Sequence, residues 1–377
     1  MGKTCLFFSA FYDKIEKMNC YSKRRIGMSK LPSEIVPLLL DWYQKEKRDL
    51  PWRKTKDPYP VWLSEIMLQQ TRVEAVKPYY KRFLEVCPNI EALANIPEEQ
   101  LYKLWEGLGY YSRARNLQKA AKTILSDYGG VFPSDCKTLQ KLPGIGDYTA
   151  GAIASIAFGE RVPAVDGNVL RVVARLVASE DDIALPDTKK GFREALLPLI
   201  PTEAGDFNQS LIELGAMVCL PNGEPKCDSC PLASLCRAHT DGKTATLPVR
   251  SKKPPRRIED RTVLLIEDGG RTALSKRPDK GLLAGLYELP NTKGHLNEAE
   301  LLAFIRSLGF EPLRWDRLED AKHIFTHVEW HMIAYAVRIS PDFDERAGNE
   351  LCFLVDNEIL HRDYAIPSAF SAYTKYL

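Results

Sequence analysis

No stretch of this sequence approaches the ~18 consecutive apolar residues that a membrane span requires. The short apolar run Cys5–Phe11 meets Asp13 almost at once and has no clear small-residue cleavage site, which argues against a secretory signal. Bulk charge is lacking too. The 52 basic side chains against 50 acidic leave a net charge of +2, so any footprint for a polyanion must be local. The compositional bias of a disordered chain is also missing. With 45% apolar and 27% charged residues, 377 residues can build more than one core. At about 150 residues per domain, two domains are expected. The nine cysteines are odd in number and unevenly spread, so in a reducing compartment they point away from a disulfide framework. The protein is expected to be intracellular.

Residues 1–30 show no clean period and end in Lys23-Arg24-Arg25. They read as a disordered extension, or as the product of a start assigned ahead of Met28. An amphipathic helix from Glu34 to Lys47 follows. From about 31 to 218 the period is helical throughout. Segments 61–71, 73–86, 98–106, 113–128, 147–158, 168–178 and 207–219 carry i, i+3, i+4 apolar spacing, with Pro and Gly between them. This predicts an all-α domain. Between 241 and 258 six basic residues stand against one acidic residue, and Pro248, Pro254 and Pro255 mark a basic linker. Beyond it, Arg261–Glu267, Thr272–Ser275 and His331–Arg338 read as strands and Glu298–Leu308 as a helix. Residues 259–377 are therefore expected to form a smaller α+β domain.

Several residues could carry chemistry. In Leu142-Pro-Gly-Ile-Gly146, before Asp147-Tyr148, Gly144 and Gly146 at a helix entrance would let backbone amides approach an anion such as a DNA phosphate. The same string also suits a plain bend between two helices. Asp166, in Val165-Asp-Gly-Asn168, sits where a helix N-cap belongs. Glu65 lies in a segment that is apolar around most of its circumference, so Val61 and Leu68 would partly desolvate its carboxyl and favour the protonated form, as a general acid needs. One protonated and one ionised carboxyl are what cleavage of a glycosidic bond requires. If the leaving group were a base in a duplex, it would have to be flipped out and the gap filled. Gln69, Gln70, Tyr110 and Tyr111 could fill it, or could simply pack. Finally, Cys219-x7-Cys227-x2-Cys230-x5-Cys236 offers four thiolates in one loop, which suits a [4Fe–4S] cluster better than the paired knuckles of a zinc site.

Taken together, these strings resemble a MutY-type adenine DNA glycosylase of the helix-hairpin-helix superfamily, over about residues 31–377. The resemblance rests on Leu50–Arg53, Pro58–Val73, Trp105–Asn116, Leu142–Ala150, Pro163–Val169 and the cysteine loop. It implies a multidomain fold: a six-helix lobe and a [4Fe–4S] lobe over 31–240, then a MutT-like domain over 259–377. It implies removal of adenine mispaired with 8-oxoguanine or guanine, by a monomer acting on double-stranded DNA in the cytoplasm. By the family pattern Glu65 protonates adenine and helps activate water, Asp166 steadies the cationic sugar, Tyr148 supports that centre and Asn168 positions the carboxylates. Trp52 and Arg53 border the adenine. Gln70, Thr71, Leu108 and Tyr110 contact or flank the 8-oxoguanine, and Phe325, Thr326 and His327 match its recognition loop, with Thr in place of the usual Ser. Cys219, Cys227, Cys230 and Cys236 hold the cluster, the first gap being seven residues where six is commoner. A lyase relative would carry lysine at 148, where this chain has tyrosine, so a monofunctional enzyme is implied. The acidic core of a Nudix hydrolase is missing, although Gly281–Pro290 fits the fold, so the last domain should bind without hydrolysing. A non-catalytic lesion binder should have lost Glu65 or Asp166, and both are present.

Overall fold

The computed structural model describes residues 31–252, 254–340 and 352–377. The expected N-terminal extension, with Met28, lies outside them. In chain order the helices of the first two thirds are α1 (Ile35–Glu46), α2 (Pro58–Leu68), α3 (Val73–Val86), α4 (Ile90–Asn95), α5 (Glu98–Trp105), α6 (Ser112–Tyr128), α7 (Cys136–Leu139), α8 (Asp147–Phe158), α9 (Gly167–Leu176), α10 (Pro186–Leu196), α11 (Ala204–Met217) and the single turn α12 (Arg237–Thr240). The helical expectation for 31–218 holds. Helices α4 and α10 were not expected; α4 is too short to show a period. Among the described residues no helix is long and apolar enough to cross a membrane.

The chain divides into two compact units. Of the described residues, one comprises 31–50, 134–139 and 146–251; the other comprises 51–133, 140–145, 252, 254–340 and 352–377. In the first, α1, α9, α10 and α11 close around a core that includes Ile35, Leu39, Val169, Val173, Phe192, Phe207, Leu211 and Leu214, with Cys219, Cys230 and Cys236 packed against it. The basic stretch is no loose tether at its start. Leu247 is buried and its carbonyl accepts from Arg175 Nε at 2.9 Å. The Val249 carbonyl accepts from the Ile183 N–H at 3.0 Å.

In the second unit α2 begins where Asp57 accepts from the Tyr59 N–H at 2.9 Å and Pro58 takes the first helical position. Eight of its eleven residues are buried, Glu65 included, as its all-round apolar sequence predicts. Strands β1 (Arg257–Glu267), β2 (Arg271–Lys276), β3 (Tyr287–Glu288), β4 (Asn291–Lys293), β5 (Pro312–Arg317), β6 (Ala321–Ile324), β7 (Val328–Ile339) and β8 (Cys352–Asp356) form one mixed sheet in this unit. β1 and β7 run parallel from Arg257↔Val328 to Glu267↔Arg338. Alternation along β1 buries both faces. Val263 and Leu265 join Trp330, Phe370 and Tyr373 on one side; Leu264 and Ile266 meet Leu301, Ile305 and Phe310 on the other. Leu301 and Ile305 belong to α13 (Glu298–Ser307), the helix expected there, which opens with a capping box of Asn297 and Glu300.

Candidate active site and DNA-facing loops

Asp166 caps α9. Its Oδ1 accepts from the Val169 N–H at 2.8 Å and its Oδ2 from Asn168 Nδ2 at 2.7 Å. Enclosure of the carboxyl raises its pKa, although those donors and the Arg171 charge pull the other way. Asn168 is itself oriented by Arg171, whose Nη2 donates to Asn168 Oδ1 at 2.9 Å and to the Gly215 carbonyl at 2.8 Å. Arg171 Nε donates to the Cys219 carbonyl at 2.8 Å. One guanidinium thus joins the Asp166–Asn168 pair to the start of the cysteine loop. Gly215 is required there, since a Cβ would come within 2.6 Å of Asn168 Cβ. Tyr148 is half-buried in the first turn of α8 and Gly146 is its extended N-cap. Of the two hairpin glycines, Gly144 is the one that needs glycine. Its φ is +77°, and a Cβ would lie 2.7 Å from Asn116 Cβ.

The four loop cysteines are half-buried. Burial pushes the Cys230 thiol up to about 11 and raises those of Cys227 and Cys236, and charge on Cys219 raises all three further. Arg175 Nη1 donates to Cys219 Sγ at 3.2 Å. Among the described residues no group of three or more His, Cys, Asp or Glu is placed to hold a metal ion.

Glu65 belongs to the other unit, 9% exposed in the middle of α2. Trp52 is buried with its ring edge-on to Tyr80 at 5.3 Å, and Arg53 is half-buried beside it. The α2 helix ends at a loop in which Gln70 is exposed and left-handed at φ +59°. A second loop, after α5, buries Leu108 and exposes Tyr110, also left-handed at φ +49°. Arg113 joins the two. Its Nη1 donates to the carbonyls of Ile66 (2.8 Å), Met67 (2.9 Å) and Gln69 (2.6 Å). Its Nη2 donates to the carbonyls of Leu108 (2.9 Å) and Gly109 (3.1 Å) and to Thr71 Oγ1 (3.3 Å).

The loop Phe325-Thr326-His327 lies between β6 and β7 in the same unit. Phe325 packs edge-on against Trp330 at 4.9 Å and against His323 at 4.6 Å. The Tyr110 and Thr326 hydroxyls are 3.1 Å apart. Gln70, Tyr110, Arg115 and Leu282–Ala284 line a cavity of about 590 Å³ together with residues 323–328. The structure therefore brings Gln70, Tyr110, Phe325, Thr326 and His327 around one space. That volume falls within the ~300–1,000 Å³ of pockets that hold small organic ligands.

A model of the HhH-GPD superfamily of base excision DNA repair proteins matches residues 63–201, and one of the NUDIX domain matches 262–376. The adenine DNA glycosylase of Mus musculus is 37% identical over 360 residues, covering 80% of this chain and 70% of that protein. That of Buchnera aphidicola subsp. Baizongia pistaciae is 35% identical over 295 residues, covering 77% of this chain and 82% of that one. The chain belongs to the adenine DNA glycosylase family. The MutY-type resemblance read from the motifs is borne out over both parts of the chain. Membership makes the protein a DNA N-glycosylase, a hydrolase of base excision repair. The structure of a thermostable thymine-DNA glycosylase superposes with a TM-score of 0.51 at 31% identity, covering 55% of this chain and 96% of that one.

Three polar residues in this family member escaped the sequence reading. Arg113 and Arg171 were absorbed into helical periods, where an arginine ordinarily faces solvent. Glu213, on α11, is fully buried and binds Arg48 through its N–H (3.0 Å), Nε (2.8 Å) and Nη2 (2.6 Å). The one available signal was a charged side chain at a position the helical period makes apolar.

Proposed function

We propose that the protein hydrolyses the N-glycosidic bond of adenine mispaired with 8-oxoguanine or guanine in duplex DNA, as a monofunctional glycosylase that leaves an abasic site. Glu65 delivers a proton to adenine N7, the C1′–N9 bond breaks with its electron pair going to the base, and Asp166 steadies the cationic sugar. Water then adds to C1′ and gives up a proton to Glu65. The Asn168 amide, fixed by Arg171, holds the Asp166 carboxylate in place, and Tyr148 supports the same centre without the amine that a lyase needs. Trp52 and Arg53 border the flipped base, and the hairpin amides at Gly144 and Gly146 receive a backbone phosphate.

The observation that carries the 8-oxoguanine reading is the cavity that gathers Gln70, Tyr110 and the 325–327 loop, with two hydroxyls at its rim. Excision falls to residues 31–240, while recognition of the opposite base is shared between Gln70 and Tyr110 of that part and the 259–377 domain. The spacing Cys219-x7-Cys227-x2-Cys230-x5-Cys236, with Cys219, Cys230 and Cys236 packed against one core, supports a [4Fe–4S] cluster on these four thiols over the paired knuckles of a zinc site. When bound, that group supplies the cationic core that lets buried thiolates ionise and ties the loop together. The enzyme acts as a monomer in the cytoplasm, associated with the nucleoid when on DNA.

Single-turnover cleavage of a labelled duplex, with adenine opposite 8-oxoguanine or guanine, tests this reading. Scission only after hot alkali, faster opposite 8-oxoguanine, is expected. Scission without alkali would sink the monofunctional assignment. No product from cluster-loaded protein that still binds the duplex would favour a lesion binder.

A further inference from the structure

Gln70 and Tyr110, two of the four non-glycine residues with left-handed φ among those described, share an uncommon backbone state of the kind that persists only where the surroundings impose it. Both side chains stand at the rim of the cavity described above. The group that imposes the conformation is the same for both. The peptide plane that carries the Gln69 carbonyl also carries the Gln70 N–H, so fixing that oxygen restrains φ at Gln70. The Gly109 carbonyl restrains Tyr110 in the same way. Arg113 holds each of these oxygens, at 2.6 and 3.1 Å, one on each terminal nitrogen.

The guanidinium is buried and seated near the rings of Trp105 (5.3 Å) and Tyr110 (5.7 Å). Burial lowers its pKa to about 10, so it keeps its charge at neutral pH. Its planar fork sets a fixed angle between the end of α2 and the loop after α5, which a single ammonium cannot do. A residue serving the core alone would need no such division. Here Nη1 serves the end of α2 and its loop, while Nη2 bridges to the second loop and also reaches Thr71 Oγ1 in the first.

We propose that Arg113 is a positioning residue that registers the Gln70 and Tyr110 loops against each other and so governs discrimination of 8-oxoguanine from guanine without touching either base. The proposal rests on the reading that these loops flank the base opposite adenine.

The test is R113K, alongside R113Q, whose planar amide can hold one loop only. Single-turnover rates with enzyme in excess do not depend on the folded fraction. The rate opposite 8-oxoguanine should fall by about ten-fold or more while that opposite guanine changes by less than about three-fold, collapsing the ratio. An unchanged ratio in both variants overturns the proposal, as does an equal loss on both substrates, which would place the effect in α2 and Glu65. A wild-type enzyme with no preference for 8-oxoguanine would instead refute the underlying reading, and the wild-type rates alone would reveal it.

Discussion

Replacing Asp166 by Asn separates what the carboxyl does for folding from what it does for excision. As an N-cap, Asn is as good as Asp, so the bond to the Val169 N–H survives. The bond from Asn168 does not, because an amide N–H2 at the old Oδ2 position faces the Asn168 Nδ2 donor; that costs about 1 kcal/mol. Relief of an enclosed charge acts in the opposite direction. The folded pKa of Asp166 lies above its ordinary value through burial, so the native state binds the proton more tightly than the unfolded chain. This group's stabilising contribution is full below the unfolded pKa and is lost as pH rises through the folded one. D166N should therefore melt within about 2–4 °C of wild type at neutral pH, and wild type should gain on it as pH falls towards the ordinary carboxylate range. D166A, which loses the cap and removes the acceptor of Asn168 Nδ2, should cost about 2–4 kcal/mol. Excision by D166N should fall about 10²–10³-fold, the scale of losing one preorganised charge at a reacting centre. The wild-type rate should itself decline on the acid side at a pH above the usual carboxylate range. Thermal melting at two pH values, with single-turnover excision, checks all of this. A D166N melting point more than about 5 °C below wild type at neutral pH would refute the capping argument. Excision kept within about ten-fold would refute the charge.

The remaining expectations concern three buried groups. E65Q should abolish excision while leaving mismatch binding near wild type in a gel-shift titration; turnover by this variant would remove Glu65 as the acid. R171Q should slow excision and also lower the iron content per chain, because one guanidinium holds both the Asn168 amide and the Cys219 carbonyl. Normal iron with slow excision would uncouple the two. E213A leaves Arg48 facing an emptied site inside the protein and should destabilise by about 3–5 kcal/mol, measured by denaturant unfolding. A loss under about 1 kcal/mol would mean that the pair is solvated.

The parts of this molecule that could be read in advance are those whose signal is local. The apolar period of 61–71 announces α2, though the helix starts at Pro58, three residues earlier, and Asp166 before Gly-Asn announces the cap of α9. The two-residue strand β3 and the short β4 and β6 were not readable, because too few residues stand in line to show a period of two. Strand β5 carries Arg314, Asp316 and Arg317 on an exposed edge, so it lacks a buried face to betray it. Proximity of Tyr110 to Thr326, 216 positions apart, has no local signature at all. Arg113 and Arg171 failed for another reason. Each satisfies carbonyls left over at helix ends and loops, a demand that exists only once the chain has folded.

Strand β1 begins two residues before the expected domain start, and that offset has a practical consequence. The Arg257 N–H binds the His327 carbonyl at 3.1 Å, and Arg256 Nε binds the Phe325 carbonyl at 3.0 Å. A fragment cut at residue 259 would keep the sheet's interior and the Phe325 N–H bond to the Val328 carbonyl (2.8 Å), yet take one hydrogen bond from each end of the 325–327 loop. Fragments of the strand domain intended for titration with damaged DNA should therefore retain Arg256. Lengthening or shortening the chain just ahead of that residue would be felt at Phe325 before it was felt anywhere in the sheet.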